Sequence, residues 1–316
     1  MTFNDKIKKL RKIYGERLDI CPIWFFDKRR DDYFIDRLVC MLDLYHLAKH
    51  ILGHKDLIPL HKRVADDVAD INVHIFAKVL KDMLEYAPIG KARNQMQFAY
   101  ARAKDISTRT ERERMYLMFR GGFKTTLITE AHIVQLILID PNIRILLMSG
   151  GLTQARKMLK SVKAPFMFSP HFRYLFPEYC PQPNKQGTIE FGTQDSFTVP
   201  NRYKHFREGT VDAAGLETRK TGNHWDYAKK DDLINETNCT SDEMLLKAKE
   251  FEQHSHQLFD NPSKPLQDYI GTIYHSDDIY GFIQRRHANS KGVVPINTIG
   301  SYVKGTKWHI KGKKVA

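Results

Sequence analysis

The stretch RGGFKTT, residues 120–126, stands between two apolar segments and decides how the rest of the chain is interpreted. Before it, MYLMF at 115–119 has the composition of a short buried strand. After it, KTTLITEAHIVQLILI at 124–139 has the apolar pattern of a helix. A glycine-rich turn at a helix N-terminus directs backbone N–H groups at an anion, and a lysine adds positive charge. The context predicts a phosphate-binding loop.

This loop departs from the standard phosphate-loop pattern G-x-x-x-x-G-K-[ST], because Met118 and Phe123 occupy the places of its two glycines. The residues that supply flexible backbone, charge and hydroxyl groups are Gly121, Gly122, Lys124, Thr125 and Thr126. A hydroxyl directly after the lysine can ligate Mg²⁺. From the loop alone, a basic turn before a core helix is the alternative interpretation.

Outward from the loop, strand-like and helix-like segments alternate. IRILLMSG at 143–150 predicts a strand and LTQARKMLKSVKAPFM at 152–167 a helix, an order that indicates a parallel sheet with helices on its faces. Further predicted strands are TIEFG at 188–192, SFTVP at 196–200, GTVDAA at 209–214, QDYIGTIY at 267–274 and VVPINTI at 293–299, the first three as hairpin strands. Further predicted helices are 30–53, 61–87 (ending before Pro88), 240–258 and 277–287, and a polar, Arg-rich stretch covers 89–114. We therefore expect a helical N-terminal region at 1–114 and an α/β core at 115–316.

The composition favours a polyanionic partner. The 316 residues contain 50 Lys and Arg against 37 Asp and Glu, a net charge of +13, and nucleic acid is the simplest match. A merely basic protein is the alternative. The four scattered cysteines predict reduced thiols rather than disulfides or a zinc site. The N-terminus is charged throughout and no apolar run is long enough to span a bilayer, so we expect a soluble protein of the cytoplasm.

A second acidic motif follows in DYAKKDDLI at 226–234. Asp231 and Asp232 at the end of a neighbouring strand could orient magnesium and activate a water molecule. However, Lys229 and Lys230 would send one ammonium to each face of a covered sheet, which is costly unless each is paired. A solvated helix start, with Asp231 or Asp232 as N-cap, is the alternative for this segment.

Taken together, the order of these segments resembles the large terminase subunit of tailed bacteriophages, the ATP-driven motor of DNA packaging. The matching segments are 50–66, before the ATPase core; RGGFKTTL at 120–127, like the family's variant Walker A loop; 140–159, the next strand and helix; 211–236, the approach to Walker B; and IGTIYHSDDIYGFI at 270–283, like the coupling segment. Each piece alone is unspecific, but five in register are specific. The resemblance covers roughly residues 45 to 290.

The resemblance implies a role for each matching position. Lys124 would neutralise the β and γ phosphates, and Arg120 would stabilise charge at the transferred phosphoryl group. Thr125 and Asp231 would hold Mg²⁺, and Asp232 would polarise the attacking water. The cofactor-binding set is Arg120, Gly121, Gly122, Phe123, Lys124, Thr125, Thr126 and Thr272, with Thr272 as the sensor of the γ-phosphate.

Three other positions fall in the matching segments. The resemblance places His61 where an adenine contact is expected. For His275 and Asp278 of the coupling segment, we expect a local hydrogen bond and a helix cap rather than catalysis.

The family further implies a P-loop NTPase fold of the ASCE type, with ATP and Mg²⁺ as cofactors. It implies translocation of double-stranded DNA into a procapsid, with portal protein, small terminase subunit and a homo-oligomeric ring as partners. Because residues 288–316 contain no Asp or Glu, we expect no nuclease domain and no nuclease activity in this chain. Two alternatives remain: a catalytically decayed fold that acts as a DNA- or capsid-binding module, and another ATP-dependent nucleic-acid translocase.

Overall fold

The computed structural model describes residues 2–218, 222–234, 242–272, 278–289, 296–299, 308–310 and 313–315. The chain forms two compact units. One comprises Met1–Thr110, Ala131–Pro141 and Pro165–Pro181, and the other comprises Glu111–Glu130, Asn142–Ala164 and Gln182–Ala316. Within the described ranges, none of the helices has both the length and the apolar character that a membrane crossing requires.

The first unit is helical. Its helices are α1 (Phe3–Tyr14), α2 (Glu16–Ile20), α3 (Ile23–Phe26), α4 (Asp32–Leu42), α5 (Leu44–His46), a π-helical segment (Leu47–Ile51), α6 (Pro59–Ala69), α7 (Asn72–Tyr86) and α8 (Lys91–Thr108). The helix predicted over 30–53 is interrupted, because the side chain of Asp43 accepts a 2.8 Å hydrogen bond from the backbone N–H of His46 and starts a new helix there. α8 occupies most of the polar stretch at 89–114. That helix buries only a narrow stripe of Met96, Ala99 and Ala103, which explains its weak sequence pattern.

The second unit is built on a seven-stranded sheet with the order β3-β4-β2-β5-β6-β1-β7. Its strands are β1 (Glu113–Met118), β2 (Ile145–Ser149), β3 (Ser196–Phe197), β4 (Val211–Gly215), β5 (Tyr227–Asp231), β6 (Gln267–Gly271) and β7 (Ile296–Ile299); β8 (Trp308–Ile310) and β9 (Lys313–Val315) pair antiparallel in a separate two-stranded sheet. Six strands of the sheet are parallel to one another and β3 is antiparallel at the edge. The predicted α/β class with a mostly parallel sheet is confirmed.

The remaining helices are a π-helical segment (Thr125–Ala131) that continues into α9 (His132–Ile139), then α10 (Leu152–Phe168), α11 (Pro170–Leu175), α12 (Asp242–Ser255) and α13 (Ile279–Asn289), with single 3₁₀ turns at Pro177–Tyr179 and His256–Leu258. Of these, α9, α11 and the turn at Pro177–Tyr179 also belong to the first unit. α12 and α13 bury Leu245, Ala248 and Ile283 in one cluster with strand residues such as Met115 and Met148. The remaining strand side chains, which include Asp231, point to the opposite face because side chains alternate along a strand.

The region between Ser169 and Thr210 differs from its prediction. TIEFG at 188–192 forms no strand, because Gly192 turns the chain with a φ of +68° and the ring of Phe191 packs on that of Phe197, with centroids 4.6 Å apart. Of SFTVP only Ser196–Phe197 pairs as a strand. It pairs antiparallel with β4, as predicted for hairpin strands, and β4 also lies parallel to β2. The described cysteines, Cys21, Cys40 and Cys180, are buried free thiols.

Candidate functional site

The candidate site lies where three neighbouring strands of the second unit end. β6 pairs with β1 on one side and with β5 on the other, and all three run parallel. Their carboxyl ends therefore meet at one edge of the sheet, where binding sites of parallel α/β folds occur. The loop after β1 brings Lys124 to this edge, β5 ends in Asp231 followed by Asp232, and Thr272 follows β6.

Lys124 joins the three strand ends through its ammonium group. Its Nζ lies 2.9 Å from Oδ1 and 3.0 Å from Oδ2 of Asp232, and it donates a 3.2 Å hydrogen bond to the hydroxyl of Thr272. That hydroxyl in turn donates to the carbonyl of Met118 at the end of β1, at 3.1 Å. The lysine side chain is 11% exposed and that of Asp232 is 33% exposed, so the pair opens to solvent on the side of the aspartate.

Asp231 is completely buried beside this ion pair. Its Oδ2 accepts a 2.6 Å hydrogen bond from the hydroxyl of Thr129, whereas Oδ1 has no hydrogen-bond partner in the described part of the chain. Burial, and after it the charge of Asp232, raise the pKa of Asp231 to about 6, although Thr129 and Lys124 act in the opposite direction. A buried carboxyl with an orphaned oxygen is an unfavourable arrangement without a further ligand.

The backbone is strained at two positions of the site. Phe123 and Asp232 have φ values of +56° and +46°, and they are the only described non-glycine residues in the left-handed region. This conformation costs a non-glycine residue about 1–2 kcal/mol. Phe123 thus adopts the backbone angle that suits the glycine expected there. Asp232 is held by two hydrogen bonds, from its N–H to the carbonyl of Ile270 at 2.9 Å and from the N–H of Gly150 to its own carbonyl at 3.1 Å.

The other predicted loop residues differ in their burial and in their contacts with this centre. Arg120 and Gly121 are exposed at the turn, where Gly121 has a φ of +76°. Gly122 is buried, and a Cβ there would lie 3.2 Å from the carbonyl oxygen of Phe119. Thr125 hydrogen-bonds to the Asp231 carboxyl and so lowers its pKa. Thr126 is half-buried on the first turn of the helix, and in the described part of the chain no hydrogen bond joins it to either aspartate.

Lys229 and Lys230 lie in a strand, so the alternative of a helix start at this segment is wrong. Both are fully buried, on opposite faces of the sheet, and each has a carboxylate partner: Asp268 for Lys229 and Glu252 for Lys230. Hydrogen bonds from Arg114 and Tyr227 also reach Asp268, and the hydroxyls of Ser255 and Tyr269 lie within 2.8 Å and 3.5 Å of the Lys230 Nζ. The two lysines are therefore held by ion pairs on the two faces of the sheet. Asp231 and Asp232 remain accessible to Lys124.

Three further predicted positions have separate outcomes. Asp278 caps α13, as expected, since its Oδ1 accepts hydrogen bonds from the N–H groups of Tyr280 at 2.9 Å and Gly281 at 3.0 Å. His275 lies outside the described residues. His61 is buried in the first unit, where its Nδ1 accepts a 3.0 Å hydrogen bond from the N–H of Ile58 at the start of α6.

Thr129 is the residue of this centre that the sequence interpretation missed. Its signal was present, because residues four apart in a helix share a face and Thr129 follows Thr125 by four. Both hydroxyls accordingly point at the carboxyl of Asp231. A threonine inside an apolar helix is common, so spacing alone did not distinguish it.

The donor set of this centre fits magnesium and a phosphate chain. Mg²⁺ prefers oxygen ligands and is usually held by one or two carboxylates together with substrate phosphates. The orphaned Oδ1 of Asp231 and the hydroxyl of Thr125 are such oxygens. Among the described residues there is no group of three or more His, Cys, Asp or Glu side chains that could hold a metal ion. No family model matches the chain, and no curated protein matches it either.

Proposed function

We propose that this chain is the ATP-hydrolysing motor part of a large terminase subunit, which moves double-stranded DNA into a viral procapsid. The observation that carries the proposal is the convergence of Lys124, Asp231, Asp232 and Thr272 at one edge of a parallel sheet. A cation, two carboxylates and a hydroxyl at the carboxyl ends of parallel strands are the groups that phosphoryl transfer to water requires. The sheet is compatible with a P-loop NTPase fold of the ASCE type, and we extend the proposal to that fold.

Each residue has a task that follows from its position. Lys124 binds the outer phosphates, since its ammonium already lies at the helix N-terminus where unpaired N–H groups point outward. Asp231 and Thr125 hold magnesium, which neutralises phosphate charge when bound. Asp232 is the half-open carboxylate and accepts a hydrogen bond from the attacking water, and Arg120 at the exposed turn stabilises the transferred group. Thr272 links Lys124 to the end of β1 and senses the γ-phosphate.

The proposed partners rest on charge and on the resemblance. A net charge of +13 supports binding to double-stranded DNA, with affinity that falls steeply as salt is raised. Portal protein, small terminase subunit and a homo-oligomeric ring are the partners that a packaging motor of this kind would have.

ATP turnover with and without double-stranded DNA tests the proposal. Lys124→Ala and Asp232→Asn are each expected to lower DNA-stimulated turnover about 100-fold or more, while Lys185→Ala, which changes an exposed lysine, is the matched control. Asparagine suits the left-handed backbone at position 232, so Asp232→Asn should keep nucleotide affinity while it loses turnover. Undiminished turnover in Lys124→Ala would refute the site. Nucleotide binding without turnover by the unaltered protein, even with DNA, would favour the binding module instead.

A further inference from the structure

Thr129 makes a contact that its own helix does not require. A threonine hydroxyl inside a helix ordinarily donates to the carbonyl four residues earlier or to solvent. Here it donates at 2.6 Å to Oδ2 of Asp231, and both residues are completely buried. A distance of 2.6 Å is typical of a hydroxyl that donates to an ionised carboxylate.

The segment that carries Thr129 has a wide turn. Thr125–Ala131 is π-helical, a geometry that is rare and is frequently found at functional sites. Thr125 and Thr129 lie about one turn apart and share the face toward β5, so two hydroxyls from one helix meet a single carboxyl group at the end of a strand. Threonine is restricted at χ1 because it is β-branched, and this limits the directions that its hydroxyl can take.

Because of this hydrogen bond, the two carboxylate oxygens of Asp231 have different surroundings. Oδ2 is engaged by Thr129, whereas Oδ1 is buried without a partner among the described residues. The rotation of the carboxyl group about its bond to Cβ is set by the hydroxyl, and the rotation decides where Oδ1 points. We propose that Thr129 is a positioning residue that orients Asp231 so that Oδ1 faces a divalent cation; this inference rests on the proposed function. Partners of this kind are worth 10–100-fold in metal affinity at other metal sites.

Two substitutions at one position separate the hydroxyl from the shape of the side chain. Thr129→Val keeps the shape and removes the hydroxyl, and Thr129→Ser keeps the hydroxyl. The control is Thr110→Val, since the Thr110 hydroxyl donates to the carbonyl of Ile106 in the last turn of α8 and to no carboxylate in the described residues. Mn²⁺ serves as the probe because it is a paramagnetic substitute for Mg²⁺, and its binding with ADP is measured by electron paramagnetic resonance.

We expect Thr129→Val to weaken Mn²⁺ affinity in the presence of ADP about tenfold or more, with ADP affinity in chelator changed less than about twofold. Thr129→Ser and Thr110→Val should stay within about threefold of the unaltered protein. A folded Thr129→Val protein with unchanged Mn²⁺ affinity overturns the inference, and so does a folded Thr129→Ser protein that has lost the affinity. The serine variant decides the matter if the valine variant does not fold. If the unaltered protein binds neither ADP nor Mn²⁺–ADP, the proposed function itself fails; if it binds both and Thr129→Val is equivalent to it, only the positioning role fails.

Discussion

Lys229→Met and Lys230→Met should change stability in opposite directions, although the two residues are adjacent in β5. Both lysines are fully buried and each has a carboxylate partner. Methionine is neutral and of similar length, so each substitution tests what the charge contributes. The difference lies in what each carboxylate keeps when the lysine is lost.

Asp268 keeps its charge partner in Lys229→Met. The guanidinium of Arg114 donates to both of its oxygens, at 2.9 Å and 3.1 Å, and the hydroxyl of Tyr227 donates at 2.7 Å. Burial lowers the pKa of Lys229 to about 8, and the nearby Arg114 acts in the same direction while Asp268 opposes it. The difference from the ordinary value of 10.5 corresponds to about 3 kcal/mol against the charged form in the folded protein.

The sign of the pH dependence follows from that lowered pKa. Between about pH 8 and 10.5 the unfolded chain binds more protons at Lys229 than the folded chain does, so the unaltered protein gains stability as pH rises through this window. Below pH 8 the cost of the buried charge is fully present. We therefore expect Lys229→Met to raise the free energy of unfolding by about 1–3 kcal/mol at pH 7, which is at most the cost of the buried charge, because Asp268 keeps both hydrogen bonds from Arg114. The gain should shrink above pH 9.

Glu252 loses its lysine partner in Lys230→Met. It is fully buried on α12 and would retain the hydroxyl of Tyr269 as hydrogen-bond donor and the imidazole of His256, whose Nε2 lies 3.9 Å from its Oε1. The hydroxyl does not neutralise the carboxylate, and the imidazole does so only when it is protonated. Leaving one member of a buried ion pair costs about 3–5 kcal/mol. Urea unfolding, followed by circular dichroism with chelator present, measures both variants at pH 7 and above pH 9. The reasoning is refuted if Lys229→Met is destabilised by more than about 1 kcal/mol, or if the two variants lose the same free energy.

Two further substitutions probe packing and buried hydrogen bonds in the same unit. Gly271→Ala would place a Cβ 2.1 Å from the hydroxyl oxygen of Tyr280, and a forced repacking of this kind costs about 1–3 kcal/mol. Gly151→Ala is the control, because a Cβ at that position would have no atom within 4 Å. It should change the free energy of unfolding by less than about 0.5 kcal/mol. Equal melting temperatures for the two alanine variants would contradict this. Trp225→Phe removes the 2.8 Å hydrogen bond from the indole N–H to the buried carboxylate of Asp212 and should cost about 1–3 kcal/mol in urea unfolding; a variant as stable as the unaltered protein would mean that the carboxylate finds another donor.

The order of strands and helices was accessible from sequence because buried parallel strands are short apolar runs. MYLMF and IRILLMSG both became strands within about two residues of their predicted bounds. Parallel strands also place their carboxyl ends at one edge, so residues that follow apolar runs were expected to meet. Lys124 and Asp232, 108 positions apart in the chain, do meet there.

Lys229 and Lys230 of β5 show which feature of the structure could not be predicted from the sequence. A strand covered on both faces is expected to be apolar, so two consecutive lysines argued against a buried strand here. Nothing within the segment itself contradicts that expectation. The compensating carboxylates lie 39 positions further along the chain in β6 and 22 positions further in α12. The pairing of Lys229 with Asp268 depends on the register of β5 with β6, in which the two residues face each other, and the pairing of Lys230 with Glu252 depends on how α12 packs on the sheet. A single strand contains no information on that register.

The candidate centre carries more negative than positive charge, which suits the proposed divalent cation. One ammonium, Lys124, faces two carboxylates, and the raised pKa of Asp231 measures how poorly the second negative charge is accommodated. A divalent cation at Oδ1 would remove that repulsion. Phosphate oxygens would compete with Asp232 for the ammonium of Lys124, which now lies 2.9 Å from Oδ1 of Asp232. We therefore expect nucleotide binding to move the ammonium of Lys124 from Asp232 to the phosphates. Asp232 would then orient water, whereas without nucleotide its carboxylate stays paired with Lys124. Wild-type ATP turnover with a lysine that remains bound to Asp232 in the nucleotide complex would contradict this coupling.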